Sequence, residues 1–182
     1  LCLEAGVDWH DKPAMADLAI AAWEKRVNSP QTSSVGRLFD AAAALIGVTR
    51  EQSYEGEAAM RLEALATGKS NSDALPLNKD GALWRADWAP LLPLLMSEER
   101  SPAERAALLH ATLAATLREQ AVKLREESGV ARVGLAGGVF QNRVLVEHVL
   151  RELAAAGFTA FLPERLPVND AAIAFGQIVE AQ

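Results

Sequence analysis

The sequence predicts a helix-rich α/β chain, and three observations predict it. The last third alternates a short apolar run, an amphipathic stretch and a second short apolar run, the pattern of a strand, helix, strand crossover between parallel neighbours. Before it, Ser101-Pro102-Ala103-Glu104 sets a cap, a proline at the first helical position and an acid in the first turn ahead of a long stretch of helix formers. Alanine is abundant, and Leu, Ala, Glu and Arg recur at helical spacing, so helix exceeds its usual share.

Taken in order, Lys12 to Val27 carries Met15, Leu18, Ala19, Ala22 and Trp23 at helical period and predicts a first helix. The polar run Asn28 to Ser34 contains Pro30 and predicts a turn, with Ser33 or Ser34 capping a second helix from Val35 to Ile46 that Gly47 stops. A short helix follows over Gly56 to Ala66, closed by Gly68, and then a polar loop. Between Leu75 and Trp84, Asp80-Gly81 separates two short alternating runs and predicts a small hairpin. Trp88 to Met96 predicts a turn or two of helix despite Pro90 and Pro93, and the capped helix runs from Ser101 to about Glu127. Val130 to Ala136 and Phe158 to Leu162 are the two strands, Gln141 to Ala156 the helix between them, and Ala171 to Glu180 a last helix. Two strands and a hairpin make no complete sheet, so either helices dominate the fold or further strands come from outside these residues.

Of 182 residues, 50% are hydrophobic, enough for a sizeable core, and the balance of 24 acids against 18 bases gives net charge −6. That balance, without a basic run, argues against duplex nucleic acid as a partner. The single cysteine, Cys2, excludes an internal disulfide framework and a multi-cysteine zinc site. No membrane span or signal peptide is legible, so a cytoplasmic location is expected, and the chain opens on Leu1 instead of Met, as a piece of a longer protein does.

The run Gly134-Leu-Ala-Gly-Gly-Val-Phe-Gln-Asn142 is the most unusual stretch. It places Gly137 and Gly138 where a parallel strand leaves the carboxyl edge of its sheet, the usual ligand side of open α/β folds. Glycines there permit close backbone approach, and the following helix offers free N–H groups to an anion such as a nucleotide phosphate. The other reading is a tight turn packed on protein. The run matches neither the dinucleotide fingerprint nor the Walker pattern. Asp170, in Pro167-Val-Asn-Asp170, follows the second strand and caps the last helix or faces the glycine turn, where a carboxylate serves as a metal ligand. Asp40 lies on an otherwise apolar helix, and Glu55 and Glu57 bracket Gly56 at a helix start, an arrangement suited to sugar hydroxyls. His10, His110 and His148 lack ligand spacing, and His110 reads as packed or on the surface.

Four segments, Asn28 to Asp40, Ser53 to Ala59, Ala136 to Arg143 and Pro167 to Gln177, resemble in order and separation the C-terminal part of the HypF carbamoyltransferases of nickel-iron hydrogenase maturation. The likeness covers nearly the whole chain, so residues 1–182 are expected to be one C-terminal lobe of that larger protein. It implies an ATP-binding lobe of the actin, sugar kinase and Hsp70 type, related to the enzymes of tRNA threonylcarbamoyladenosine synthesis. It also implies a reaction in which a carbamoyl group from carbamoyl phosphate is joined to AMP from ATP and passed to the C-terminal cysteine of a HypE-like acceptor protein. By the same resemblance Gly137, Gly138 and Asn142 line the nucleotide, Asp40, Gly56 and Glu57 hold the ribose, and Asp170 contributes to a divalent metal site, of Mg or of Fe or Zn type. The family's histidine pair and its zinc-finger and acylphosphatase-like regions are not in this chain, and Ala171-Ala172 stand where the family carries glycines. The lobe alone is therefore expected to be inactive and to need the N-terminal part of the same protein. A scaffold with a decayed nucleotide site and an O-carbamoyltransferase acting on a sugar hydroxyl are the alternatives.

Overall fold

The computed structural model describes residues 1–8, 12, 16–66, 70 and 72–181. Along them run α1 (Cys2–Ala5), α2 (Ala16–Glu24), α3 (Val35–Ile46), α4 (Glu57–Leu65), β1 (Leu77–Asp80), β2 (Leu83–Ala86), α5 (Leu91–Met96), α6 (Pro102–Ser128), β3 (Arg132–Gly134), α7 (Arg143–Ala155), β4 (Thr159–Phe161) and α8 (Ile173–Glu180). Two short 3₁₀ turns, Gly138–Gln141 and Asp170–Ala172, lead into α7 and α8. The fold is the helix-rich α/β arrangement that the sequence predicts, and β3 and β4 pair in parallel with Val133 opposite Ala160.

Helix α6 organises the rest. Its first half is buried on nearly every side, through Ala106, Ala107, Leu109, His110, Ala111, Thr112, Ala114 and Ala115. Alanine and threonine leave little side-chain bulk there, so α7, α4, α5 and α3 all pack against one helix. Its start is fixed by a capping box. The Ser101 hydroxyl accepts from the Glu104 amide at 3.3 Å, and the Glu104 carboxylate accepts from the Ser101 amide at 2.8 Å. The core spreads outward from this helix through Phe39, Leu62, Leu91, Leu95, Leu109, Val149 and Leu153.

Threonines on α6 also tie down chain with no regular structure. Thr116 accepts from the Leu75 amide at 2.9 Å and donates to the Thr112 carbonyl at 2.7 Å, leading the chain into the hairpin. The hairpin then lies along the far end of α6, where Gln120 donates to the Trp84 carbonyl at 3.0 Å and Glu127 accepts from the Trp84 indole at 3.1 Å. Arg105 holds α3 and α5 to α6 by donating to the carbonyls of Leu95 at 2.8 Å and Ile46 at 3.3 Å.

Several boundaries differ from those expected. The first helix is shorter, because Arg26 and Asn28 take left-handed backbone angles that end it by Lys25, and its Leu18 and Trp23 face outward instead of into the core. Met15, His10 and Gly68 lie outside the described residues. The hairpin loop is Gly81-Ala82, one residue beyond the expected Asp80-Gly81, since Asp80 pairs with Leu83 and Gly81 alone supplies the positive φ, 61°. The strand expected over Val130 to Ala136 is only three residues long. Ser34 is the N-cap of α3, and Gly47 ends it at φ 83°.

Replacing Ser101 by Ala removes the hydroxyl half of the capping box and is expected to cost about 1 kcal/mol of stability. Urea titration of the two chains, with unchanged slope and a lower midpoint for Ser101→Ala, checks this.

Candidate functional site

Strand β3 ends at Gly134, and the chain turns at Ala136 to Gly138 before α7 begins. Gly137 holds φ 112° and ψ 152°, a conformation that a residue with a side chain adopts only under strain. Its amide donates to the Val168 carbonyl at 2.6 Å and its carbonyl accepts from Phe140 at 3.0 Å, so the turn is tied to the segment after β4. In front of the turn there is room: a Cβ added at Gly137 meets nothing within 4 Å, and one at Gly138 meets only the Asn169 Cβ at 4.0 Å. Gly138 is exposed. The turn is thus not packed under protein atoms.

Asp170 lies on the same side. It is exposed, and with Gly137, Pro163, Pro167, Asn169 and Ala172 it lines an open cleft of about 290 Å³. The expected capping role falls instead to Asn169, whose side-chain oxygen accepts from the Ala171 amide at 3.2 Å. Among the described residues the Asp170 carboxylate makes no hydrogen bond or ion pair, and it shares the cleft with Gly137.

Asn142 faces the other way. It is 6% exposed, its side-chain oxygen caps α7 by accepting from the Leu145 amide at 2.9 Å, and its amide nitrogen lies 2.9 Å from Nε2 of His110. His110 is fully buried, and its Nδ1 lies 2.7 Å from the Ala106 carbonyl. That carbonyl only accepts, so Nδ1 carries the proton, Nε2 accepts, and the Asn142 amide donates. The same ring meets Phe39 edge-on at 5.2 Å between centroids. A second acceptor at the start of α7 is the Glu63 carboxylate of α4, 2.8 Å from the Arg143 amide.

The remaining candidates sit on α3 and α4. Asp40, next to Phe39, is partly exposed and pairs with Arg37 at 3.2 Å. Gly56 takes φ 82° before α4. Glu57 is 5% exposed, and it braces the turn by accepting from the Ser53 amide at 2.6 Å and pairing with Arg61 at 2.6 Å. The Ser53 amide holds its carboxyl below the ordinary carboxylate value; burial opposes this and Arg61 adds to it. Its oxygens are engaged within the protein and are not turned out as a free acid pair.

The structure therefore joins Gly137 and Asp170 at one cleft, with Gly138 exposed next in the chain and near Asn169, and sets Asn142 behind the turn. Asp40, Gly56 and Glu57 lie on helices that pack on each other, one of which, α3, also touches the 3₁₀ turn after Gly137. Sequence reasoning missed His110 as a partner of Asn142, because nothing in the spacing of two residues 32 apart announces a hydrogen bond. It also missed Asn169, although asparagine ahead of a helix was a signal. A larger apolar groove of about 710 Å³ between the hairpin, α6 and β3 contains no carboxylate or histidine among its lining residues. For a metal, Asp170 offers one carboxylate, and among the described residues no group of three His, Cys, Asp or Glu converges. These residues fit a shared ligand position and do not by themselves form a metal site.

A parallel strand, helix, strand unit whose carboxyl edge carries an open glycine turn places this chain among helix-rich α/β lobes, in which that edge is the usual ligand side. The chain belongs to the HypF family: the family model for the carbamoyltransferase Kae1-like domain, second subdomain, matches residues 4–177. Carbamoyltransferase HypF2 of Cupriavidus necator is 39% identical over 180 residues, covering 85% of this chain and 22% of that protein. Carbamoyltransferase HypF of Rhodobacter capsulatus is 43% identical over 169 residues, 92% of this chain and 22% of that protein. A crystal structure of full-length HypF in the phosphate- and nucleotide-bound form superposes with TM-score 0.85 at 31% identity, covering 93% of this chain and 23% of that one. The chain thus spans about a fifth of the length of its relatives. Among the described residues no helix is long and apolar enough to cross a membrane.

Burial is the main cause that lowers the pKa of both His110 and His148 below the ordinary 6.5; for His148, Arg151 adds to it. Each is less protonated folded than unfolded, so the associated stability is complete above about pH 6.5 and is lost as pH falls through the lowered folded values. The lowered carboxylates Glu57, Glu104 and Glu127 weaken only below their ordinary 4.5, outside that window. Thermal melts between about pH 7 and pH 5 are expected to show a falling midpoint, with a shallower fall in His110→Gln, whose side chain does not titrate.

Proposed function

We propose that this lobe is the nucleotide-binding part of a carbamoyltransferase that forms carbamoyl-adenylate from ATP and carbamoyl-phosphate-derived carbamate, releasing pyrophosphate. The carbamoyl group then goes to the C-terminal cysteine of a HypE-like acceptor protein, a step of cyanide ligand synthesis for hydrogenase. The single observation that carries the reading is the open face of Gly137 and Gly138. The first amides of the 3₁₀ turn, those of Gly138 and Val139, have no backbone acceptor among the described residues, and a Cβ added at Gly137 meets nothing within 4 Å. Membership in the carbamoyltransferase family and the nucleotide-bound form of the solved relative support it.

In this reading the phosphates of ATP lie against the glycine turn, Asp40 and the Gly56-Glu57 turn approach the ribose, and Asn142 contributes from behind by holding the turn. Asp170 supplies one ligand of a divalent metal whose other ligands come from the rest of the longer protein. Because no metal cage lies among the described residues, the lobe alone is inactive. It works in the cytoplasm, without nucleic acid or membrane as partner.

Gly138→Ala separates binding from folding. Its φ lies outside the left-handed region and its added methyl meets only an ordinary contact, so the midpoint of unfolding stays near that of the parent. The same methyl stands where a phosphate would touch the backbone, so calorimetric titration with ATP and magnesium is expected to show affinity reduced about tenfold or more, a loss of about 1.4 kcal/mol. Equal ATP affinity in both chains, or none in either, contradicts the reading and favours a scaffold.

A further inference from the structure

The glycine turn has no side chains of its own to hold it, yet its shape matters to any ligand that meets its amides. The segment is tied by main-chain bonds on both sides, from Gly137 to Val168 and from the main-chain N–H of Asn142 to the Val139 carbonyl at 3.2 Å. Asn142 in turn caps α7 at Leu145 and donates to Nε2 of His110, a ring that touches nothing in the cleft. The amide orientation and the ring tautomer leave one consistent assignment: Ala106 must receive a proton from Nδ1, Leu145 must give one to Oδ1 of Asn142, and so the Asn142 nitrogen gives one to Nε2. Phe39, one residue from Asp40, meets the same ring in a T-shaped contact.

We propose that His110 is a positioning residue: its neutral ring sets the glycine turn through Asn142, and through Phe39 it sets the helix that carries Asp40, so that both arms of the site share one buried reference point. The local half of this inference is independent of any ligand, while its effect on binding rests on the nucleotide reading above. The Leu145 amide, which only donates, fixes the orientation of the Asn142 amide, and the histidine acceptor reinforces it, because a flipped amide would also set its oxygen against the ring's lone pair. Every potential bond of the Asn142 side chain that the structure shows is thereby committed to one arrangement.

The wild-type chain tests this without substitution. In ¹⁵N-resolved spectra of the histidine rings, His110 is expected as the Nδ1–H tautomer with Nε2 coupled across the hydrogen bond to the Asn142 side-chain amide. A protonated Nε2 overturns the proposal. In His110→Leu, hydrogen exchange is expected to quicken about tenfold at the Leu145, Asn142 and Gly137 amides, the factor that one lost hydrogen bond corresponds to. Ala114 and Ala115, deep in α6, keep their protection and report global stability. Unchanged exchange at the three turn amides, or equal quickening everywhere, overturns the proposal. Titration with ATP and magnesium then reads the functional half. Weakened binding in His110→Leu with the fold intact supports it, and binding equal to the parent overturns it. If the parent itself binds no ATP, the nucleotide reading fails, and the exchange data alone decide the positioning role.

Discussion

A single buried imidazole carries more of this structure than its surroundings suggest. His110 sits in the part of α6 that is enclosed on nearly all sides, bonded at both ring nitrogens and stacked edge-on against Phe39. Leaving a buried polar group unpaired costs about 1–3 kcal/mol, so the ring demands partners, and the partners it has are the carbonyl of its own helix and the cap of α7. The ring thus joins the start of α7 to α6 by hydrogen bonds, and Phe39 brings α3 against the same ring. An apolar residue of similar size at that position could fill the volume while leaving Asn142 without its acceptor.

Around that point, charge and polarity are spent on joining elements more than on decorating the surface. Arg105 ties α3 and α5 to the central helix, and Arg125 donates to the Ala156 carbonyl at 2.8 Å while lying over the Phe158 ring at 4.1 Å, closing the crossover between α7 and β4. Threonines on α6 replace strand partners for the segment before β1. The scaffold is made rigid behind the glycine turn and left open in front of it, as a site positioned by packed elements requires.

Much of the fold was legible because local chemistry decided it. The capping box at Ser101, the Ser34 cap and the left-handed stop at Gly47 each follow from a few adjacent residues, and the structure keeps them. The parallel crossover was legible from hydrophobic pattern, although strand lengths were not, since they depend on what pairs at the edges. The candidate site was half legible. Gly137, Gly138 and Asp170 follow from position along the strand, helix, strand unit, and the structure places Gly137 and Asp170 on one cleft with Gly138 exposed beside it. Asn142 and Glu57 turn inward to serve the scaffold, which no spacing rule reveals, because burial of their polar atoms is settled by residues far away in the chain. The outward-facing Leu18 and Trp23 of α2 show the same limit: a periodic apolar stripe predicts a helix but does not name what covers it.

The pairing of Asn169 with Asp170 has a consequence of its own. A neutral amide bonds the 3₁₀ turn that leads into the C-terminal helix, and the neighbouring acid is spared that task. Division of labour between two adjacent residues means that the acid can be replaced without removing the side-chain bond at the turn, which an aspartate doing both jobs would not allow.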